Sequence, residues 1–356
     1  MIAAKCFTRE WLDECRATVG RVDPGLLEKS IYAFELLGRL SAAGLPFVFK
    51  GGTALLLLLD DFRRLSIDVD IACPVAPREV EQLVKKIVEE GPFTSCKPDE
   101  RDANRRPKRH HYALEFSSVV NTHAPATLQL DVLEDDAHYP LTQPVPLQSR
   151  FVVPESQVRI VTPTVEGLLA DKLTAFAPRT VGIPFGGFKA SIRIAKQISD
   201  IGELFLHAND GSHVAAAYDR LFAAENSYRG GVHSRDEALD DTVAAAHLLC
   251  GVNLRGHVAS DESHTLAQGV PQVDSHMIGR HYTLDDAKIA AARAAHLASL
   301  IRRGEMPRDL ASLRFDPTAL TRLRDADLAA PYDRLNRLRG FNPEAFHHWL
   351  GVQGHV

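Results

Sequence analysis

The chain lacks the cysteine pattern of a disulfide scaffold or a zinc site. Its five cysteines, Cys6, Cys15, Cys73, Cys96 and Cys250, are odd in number, scattered and nowhere spaced Cys-x-x-Cys, which fits a reducing cytoplasm. It lacks a long apolar run as well. The longest, Ala54 to Leu59, is far short of the roughly 20 residues that a membrane-spanning helix needs. No basic-then-apolar pattern opens the chain, so a soluble, cytoplasmic protein with no membrane partner is expected. Positive charge is not in excess: the formal net charge is −5 and the pI about 6.3. A uniformly basic nucleic-acid binder is thereby excluded, and any such surface has to be a local patch. The 16 histidines soften this only slightly. There is no internal repeat and no low-complexity tract.

What is present is a globular composition, 45% hydrophobic and 24% charged over 356 residues, enough for one large domain or two ordinary ones. The most informative stretch runs from Phe47 to Ala72. A short apolar strand ends at Lys50-Gly51-Gly52-Thr53, where two glycines permit a tight turn and close backbone approach to a ligand. Ala54 to Leu59 then predicts a buried helix whose first amides point back at the turn as an anion site. After the charged turn Asp60 to Arg64, Ser66, Asp68 and Asp70 alternate with Leu65, Ile67, Val69 and Ile71. That period of two predicts a strand with the three polar side chains on one face. Two carboxylates on one face repel each other, and hard oxygens so placed suit Mg²⁺ bridging to substrate phosphates. A solvated strand face is the plain alternative.

Other elements are expected at 8–19, from Asp23 and Pro24 to Gly44, from Pro77 to Gly91, and from Tyr112 to Val120. Ala126 to Leu133 reads as a strand with Asp131 opposite the apolar set. Residues 135–158 carry prolines without periodicity and suggest a loop-rich connection. Thr162 and Pro163 open a helix, and the rest is expected to be helical near 189–207, 213–224, 235–250, 283–303 and 318–337. The histidines and acids of 255–282 match no zinc spacing and read as a polar surface loop; His347 and His348 read as packing or solvated. Arg101 to His111 is the one dense cationic cluster, and a local site for RNA phosphates would fall on Arg105, Arg106, Lys108 and Arg109.

Lys50-Gly51-Gly52-Thr53-Ala54-Leu55, followed by Arg64-Leu65-Ser66-Ile67-Asp68-Val69-Asp70, resembles the AbiEii type of the polymerase-beta-like nucleotidyltransferase superfamily. Asp171-Lys172-Leu173-Thr174-Ala175-Phe176, then Arg179, Lys196 and Asp200, resembles that family's second block. The resemblance implies an α+β fold, with a polymerase-beta-like nucleotidyltransferase lobe (a small mixed sheet with helices) over residues 1–158 and a helical C-terminal lobe over 159–356. It implies a Mg²⁺ (or Mn²⁺) site at Asp68, Asp70 and Asp131, with Glu134, Asp135 and Asp136 near enough to compete for the third place. Nucleotide binding would fall to Gly51, Gly52, Thr53, Arg64, Ser66 and Lys172, with Asp200 orienting the lysine or the acceptor and Ser66 open to modification. The implied activity is nucleotidyl transfer from an NTP to RNA, a tRNA 3′ end foremost, by a toxin of a toxin–antitoxin or phage-defence system with a cognate antitoxin. A small-molecule (antibiotic-modifying) or protein acceptor is the alternative, and a non-catalytic partner-binding regulator a further one.

Overall fold

In a computed structural model, which describes residues 1–99 and 107–355, the local signals near the amino terminus are obeyed. Helix α1 (Arg9–Val19) precedes α2 (Pro24–Ala42), whose first turn is closed by the Asp23 carboxylate accepting from Leu26 N at 2.8 Å, with proline at the first helical position. Leu27, Ile31, Phe34, Leu37 and Leu40 are all within 1% of full burial. Each such side chain contributes on the order of 1.5–3 kcal/mol of apolar burial. Gly44 takes φ +77° just beyond the helix end, a backbone state that glycine adopts without steric cost.

The strands are β1 (Val48–Lys50), β2 (Val69–Ala72), β3 (Ser95–Asp99), β4 (Arg109–Phe116) and β5 (Ala126–Leu133), with α3 (Leu55–Leu58) after β1 and α4 (Pro77–Glu90) after β2. Their order in the sheet is β1-β2-β5-β4-β3. Only the β2–β5 pair is parallel, so the sheet is mixed. One face is apolar: Phe49, Val69, Ile71, Leu128, Leu130, Val132, Tyr112, Leu114 and Phe116 are buried there. Helix α2 packs on β5, and Tyr32 of α2 stacks on Phe116 with ring centroids 3.6 Å apart.

Two strands, β6 (Thr142–Pro146) and β7 (Arg159–Pro163), pair antiparallel, where a loop-rich connection and then a helix start at Thr162 were expected. With only two strands the ladder has open edges, which tolerate Pro144 and Pro146. The chain divides into two compact units: Met1–Thr164 with Ser275–His281, and Val165–Asp274 with Tyr282–Val356.

The second unit is helical. It comprises α5 (Val165–Ala175), α6 (Ala190–His207), α7 (Gly211–Tyr228), α8 (Arg235–Gly251), α9 (Asp261–Asp274), α10 (Leu284–Arg303) and α11 (Pro343–Val352). Helix α10 is its hub, touching α6, α8 and α11. It starts in a capping box of Thr283 and Asp286 and ends at Gly304 with φ +71°. Its buried alanines allow close approach: a Cβ on Gly202 of α6 would lie 2.8 Å from Ala290 Cβ.

Two expectations fail in this unit. The surface loop expected at 255–282 contains α9, started by Ser260 and Ser263, each hydroxyl accepting the other's backbone N–H at 3.2 and 2.9 Å. The helix expected at 318–337 is instead broken into 3₁₀ segments at Pro317–Leu323 and Asp333–Gly340. His348 is fully buried with its Nδ1 3.2 Å from His296 Nδ1, so packing is its role. No helix among the described residues is long and apolar enough to cross a membrane.

Candidate active site

The turn after β1 is shaped by what its glycines leave out. Gly51 sits at φ +80°, and a Cβ there would collide with Asp70 Oδ2; a Cβ on Gly52 would stand 2.5 Å from Arg64 Nη2 and 2.9 Å from Ser66 Oγ. Asp70 therefore lies against Gly51, and Arg64 and Ser66 lie against Gly52. Thr53 is fully buried and its hydroxyl donates to the Asp68 carbonyl at 2.7 Å. The Gly-Gly-Thr turn and the acidic segment are thus packed as one piece.

The expected strand over Leu65 to Ile71 begins only at Val69. Residues 64–68 are held by an isolated antiparallel bridge between Arg64 and Met277 and by scattered bonds rather than a ladder. Leu65 N donates to His276 O at 2.8 Å, Ile278 N to Arg63 O at 2.8 Å, and Ser30 Oγ to the Ser66 carbonyl at 3.1 Å. Helix α3 is likewise a single turn, Leu55–Leu58, without a side-chain cap. So short a helix carries little dipole and adds little to the anion site expected at its amino end.

Strand register then makes a row. Lys50 on β1 is opposite Asp70, Asp70 on β2 is opposite Asp131, and Asp131 on β5 is opposite His111 on β4. All four are partly exposed while their sequence neighbours Phe49, Ile71, Val132 and Tyr112 are buried. The row is therefore the sheet's polar face. Its two carboxylates sit on adjacent strands, about 4.8 Å apart in backbone, and repel unless a cation or donor compensates. His111 does part of this: its Nδ1 lies 2.6 Å from Asp131 Oδ1. His111 escaped the sequence reading, which placed it in the basic run. The apolar alternation Tyr112, Leu114, Phe116 carries the only local hint that it faces the other way.

The donor set fits a hard divalent cation. Asp70 and Asp131 offer carboxylate oxygens side by side, Asp68 precedes Asp70 by two residues, and the missing Cβ of Gly51 makes room for the Asp70 carboxylate. Among the described residues no three His, Cys, Asp or Glu side chains are grouped closely enough to hold a metal ion by themselves. Carboxylate oxygens are the ligands that hard divalent cations take, one or two from the protein being enough where water and substrate phosphate complete the shell.

Lys172 and Asp200 belong to the second unit and meet there. Lys172 Nζ is 3.1 Å from Asp200 Oδ2, with the two side chains 6% and 0% exposed. Helix α5 supplies the lysine and α6 the aspartate. Arg179 is engaged elsewhere, paired through two nitrogens with Glu262, while its backbone N–H donates to Asp241. This pairing raises the Arg179 pKa, by its hydrogen bond to Glu262 first, and lowers that of Glu262. Of the expected RNA contacts, Lys108 and Arg109 are exposed, Arg109 at the start of β4. Arg105 and Arg106 lie outside the described residues.

With this geometry in view, the comparisons with known proteins are decisive for the family. The profile of the nucleotidyl transferase AbiEii toxin of type IV toxin–antitoxin systems matches residues 35–345. The chain belongs to this family. It is a nucleotidyltransferase of AbiEii type, and its match takes in both the acid-bearing sheet and most of the helical unit. The fold of this AbiEii chain is similar to that of MenT4, a nucleotidyltransferase toxin from Mycobacterium tuberculosis H37Rv, with TM-score 0.50 and 13% identity over 97% of this chain and 99% of that one. A nucleotidyltransferase from H. pylori matches at TM-score 0.38 and 17% identity, over 78% of this chain and 94% of that one, too distant to bear on the fold. No curated protein sequence matches the chain.

Proposed function

We propose that this AbiEii chain transfers a nucleoside monophosphate from an NTP to an RNA acceptor, a tRNA 3′ end, and that it thereby blocks translation as the toxin of a toxin–antitoxin or phage-defence pair restrained by a cognate antitoxin. The observation that carries the reading is the row Lys50, Asp70, Asp131 beside the Gly51–Gly52 turn. It puts paired carboxylates, a lysine and a side-chain-free backbone turn on one polar face, as phosphate chemistry requires.

Asp68, Asp70 and Asp131 would hold Mg²⁺ or Mn²⁺. Bound there, such ions offset charge on the pyrophosphate leaving group and favour the ionised acceptor hydroxyl. The turn's role is access: with no side chains at Gly51 and Gly52, the backbone can approach the NTP phosphates closely. Thr53 acts indirectly, pinning the Asp68 backbone through its hydroxyl. Arg64 and Ser66, packed against Gly52, supply a cationic and a hydroxyl donor beside the same turn. The family resemblance gives Lys172 the role of point cation toward the triphosphate; within its own unit Asp200 fixes its ammonium.

The test is incubation of wild type and Asp68→Ala with Mg²⁺, total RNA and each alpha-labelled NTP in turn, resolved on a denaturing gel. Label on a tRNA-sized band with wild type alone is expected. Label on no RNA, with both proteins folded, would overturn the RNA acceptor in favour of a small molecule or a protein. Neutralising Arg105, Arg106, Lys108 and Arg109 together should weaken labelling of RNA, and unchanged labelling would remove that cluster from RNA binding.

A further inference from the structure

The polar row ends in a residue that the family reading leaves without a task. His111 Nδ1 lies 2.6 Å from Asp131 Oδ1, and the imidazole is nine-tenths buried, at 10% exposure. Nε2 is buried as well and has no hydrogen-bond partner among the described residues. The Asp131 bond is therefore what orients the ring.

Its neighbour gives the contrast. His110, on the opposite face of β4, pairs with Glu134 at 2.8 Å and is 31% exposed, an ordinary surface pair. A buried imidazole with one ring nitrogen unsatisfied is destabilising compared with an apolar side chain of the same shape. Such a residue suits a position where its other nitrogen has a use. A carboxylate only accepts, so Nδ1 carries the proton and donates it. That bond occupies Oδ1 and stops the carboxylate from rotating about Cβ–Cγ, while the ladder between β4 and β5 fixes both backbones.

We propose that His111 is a positioning residue for nucleotidyl transfer: its Nδ1–H holds the Asp131 carboxylate in one orientation and leaves the second oxygen available to a divalent cation. This rests on the reading of Asp70 and Asp131 as the ion-holding pair. It follows the general pattern in which a partner behind a ligand sets the ligand's orientation.

The experiment measures Mn²⁺ affinity by electron paramagnetic resonance in the presence of a non-hydrolysable NTP analogue, on the full chain. Wild type, His111→Leu, His111→Asn and Asp131→Asn are compared, with kcat and KM for transfer alongside. His111→Leu should weaken Mn²⁺ binding about tenfold or more and lower kcat more than it changes KM. His111→Asn, near-isosteric with Leu but carrying a donor near the Nδ1 position, should restore most of both. Wild-type Mn²⁺ affinity in His111→Leu would overturn the inference, as would an Asn variant as weak as Leu with both folded by circular dichroism. Independently of any variant's folding, ¹⁵N shifts of labelled histidine in wild type should show Nδ1 protonated; protonation at Nε2 alone would overturn it. Equal Mn²⁺ binding by wild type and Asp131→Asn would instead overturn the ion-holding reading, and this inference with it.

Discussion

Replacing Asp200 by alanine strips one partner from an ion pair whose lysine side chain is 6% exposed and whose aspartate is fully buried, at 3.1 Å. At that separation and an effective dielectric of about 20, the attraction is about 5 kcal/mol. Much of it offsets the cost of taking both charges out of water. Deleting the carboxylate alone leaves Lys172 with its charge buried and that partner gone, so Asp200→Ala should lose about 3–5 kcal/mol. Lys172→Met should lose a similar amount, leaving the aspartate. The double variant Lys172→Met/Asp200→Leu removes both charges together. It should recover most of the loss, so that the coupling energy exceeds either single loss of about 3–5 kcal/mol. Urea unfolding read by Trp349 fluorescence, in a Trp11→Phe background, isolates the second unit, since the two tryptophans lie in different units. Single variants that each lose less than about 1 kcal/mol would refute the argument, because only a solvated pair is that weak.

Other consequences are open to test. Burial, reinforced by His347 and Arg303, holds His296 down to about 3 from an ordinary 6.5, and burial lowers His348 as well. The unfolded chain takes up protons below 6.5 that the folded chain refuses until about 3. His296 should thus contribute stability that is full above 6.5 and falls as the pH drops, by about 2 kcal/mol at pH 5. The urea midpoint of His296→Leu should fall less between pH 7 and pH 5 than that of wild type, and equal slopes would refute this. Gly51→Ala forces a side chain onto φ +80° and onto Asp70. It should cost about 1 kcal/mol or more and abolish most transfer, whereas Gly52→Ala carries no left-handed backbone strain and should be milder in an unfolding assay.

How much of this was legible in the sequence varied with the kind of signal. The Gly-Gly-Thr turn and the acids Asp68 and Asp70 stood out because glycine and period-two alternation are local signals. Asp131 fell on the correct face for the same reason. Which strands neighbour each other is not local, so the pairing of Asp70 with Asp131 and of Asp131 with His111 had no trace in the chain itself. Helix α9 was hidden by Gly269 and Pro271 inside it. A Cβ on Gly269 would stand 2.6 Å from Ala195 Cβ, so that glycine serves close packing on α6. Residues 64–68 look like strand by alternation, but their backbone partners come from Ser30 and the 275–281 segment, beyond the reach of any pattern.

The central claim is that the Asp70–Asp131 face performs the transfer. The most direct measurement is label moved from alpha-labelled NTP in a single turnover, in Mg²⁺, by wild type, Asp70→Asn and Asp131→Asn, each shown to be folded. These near-isosteric changes remove charge and little else. The account predicts a loss of about a thousandfold for each, equivalent to about 4 kcal/mol of transition-state stabilisation. Transfer within a few fold of wild type by either folded variant would contradict it.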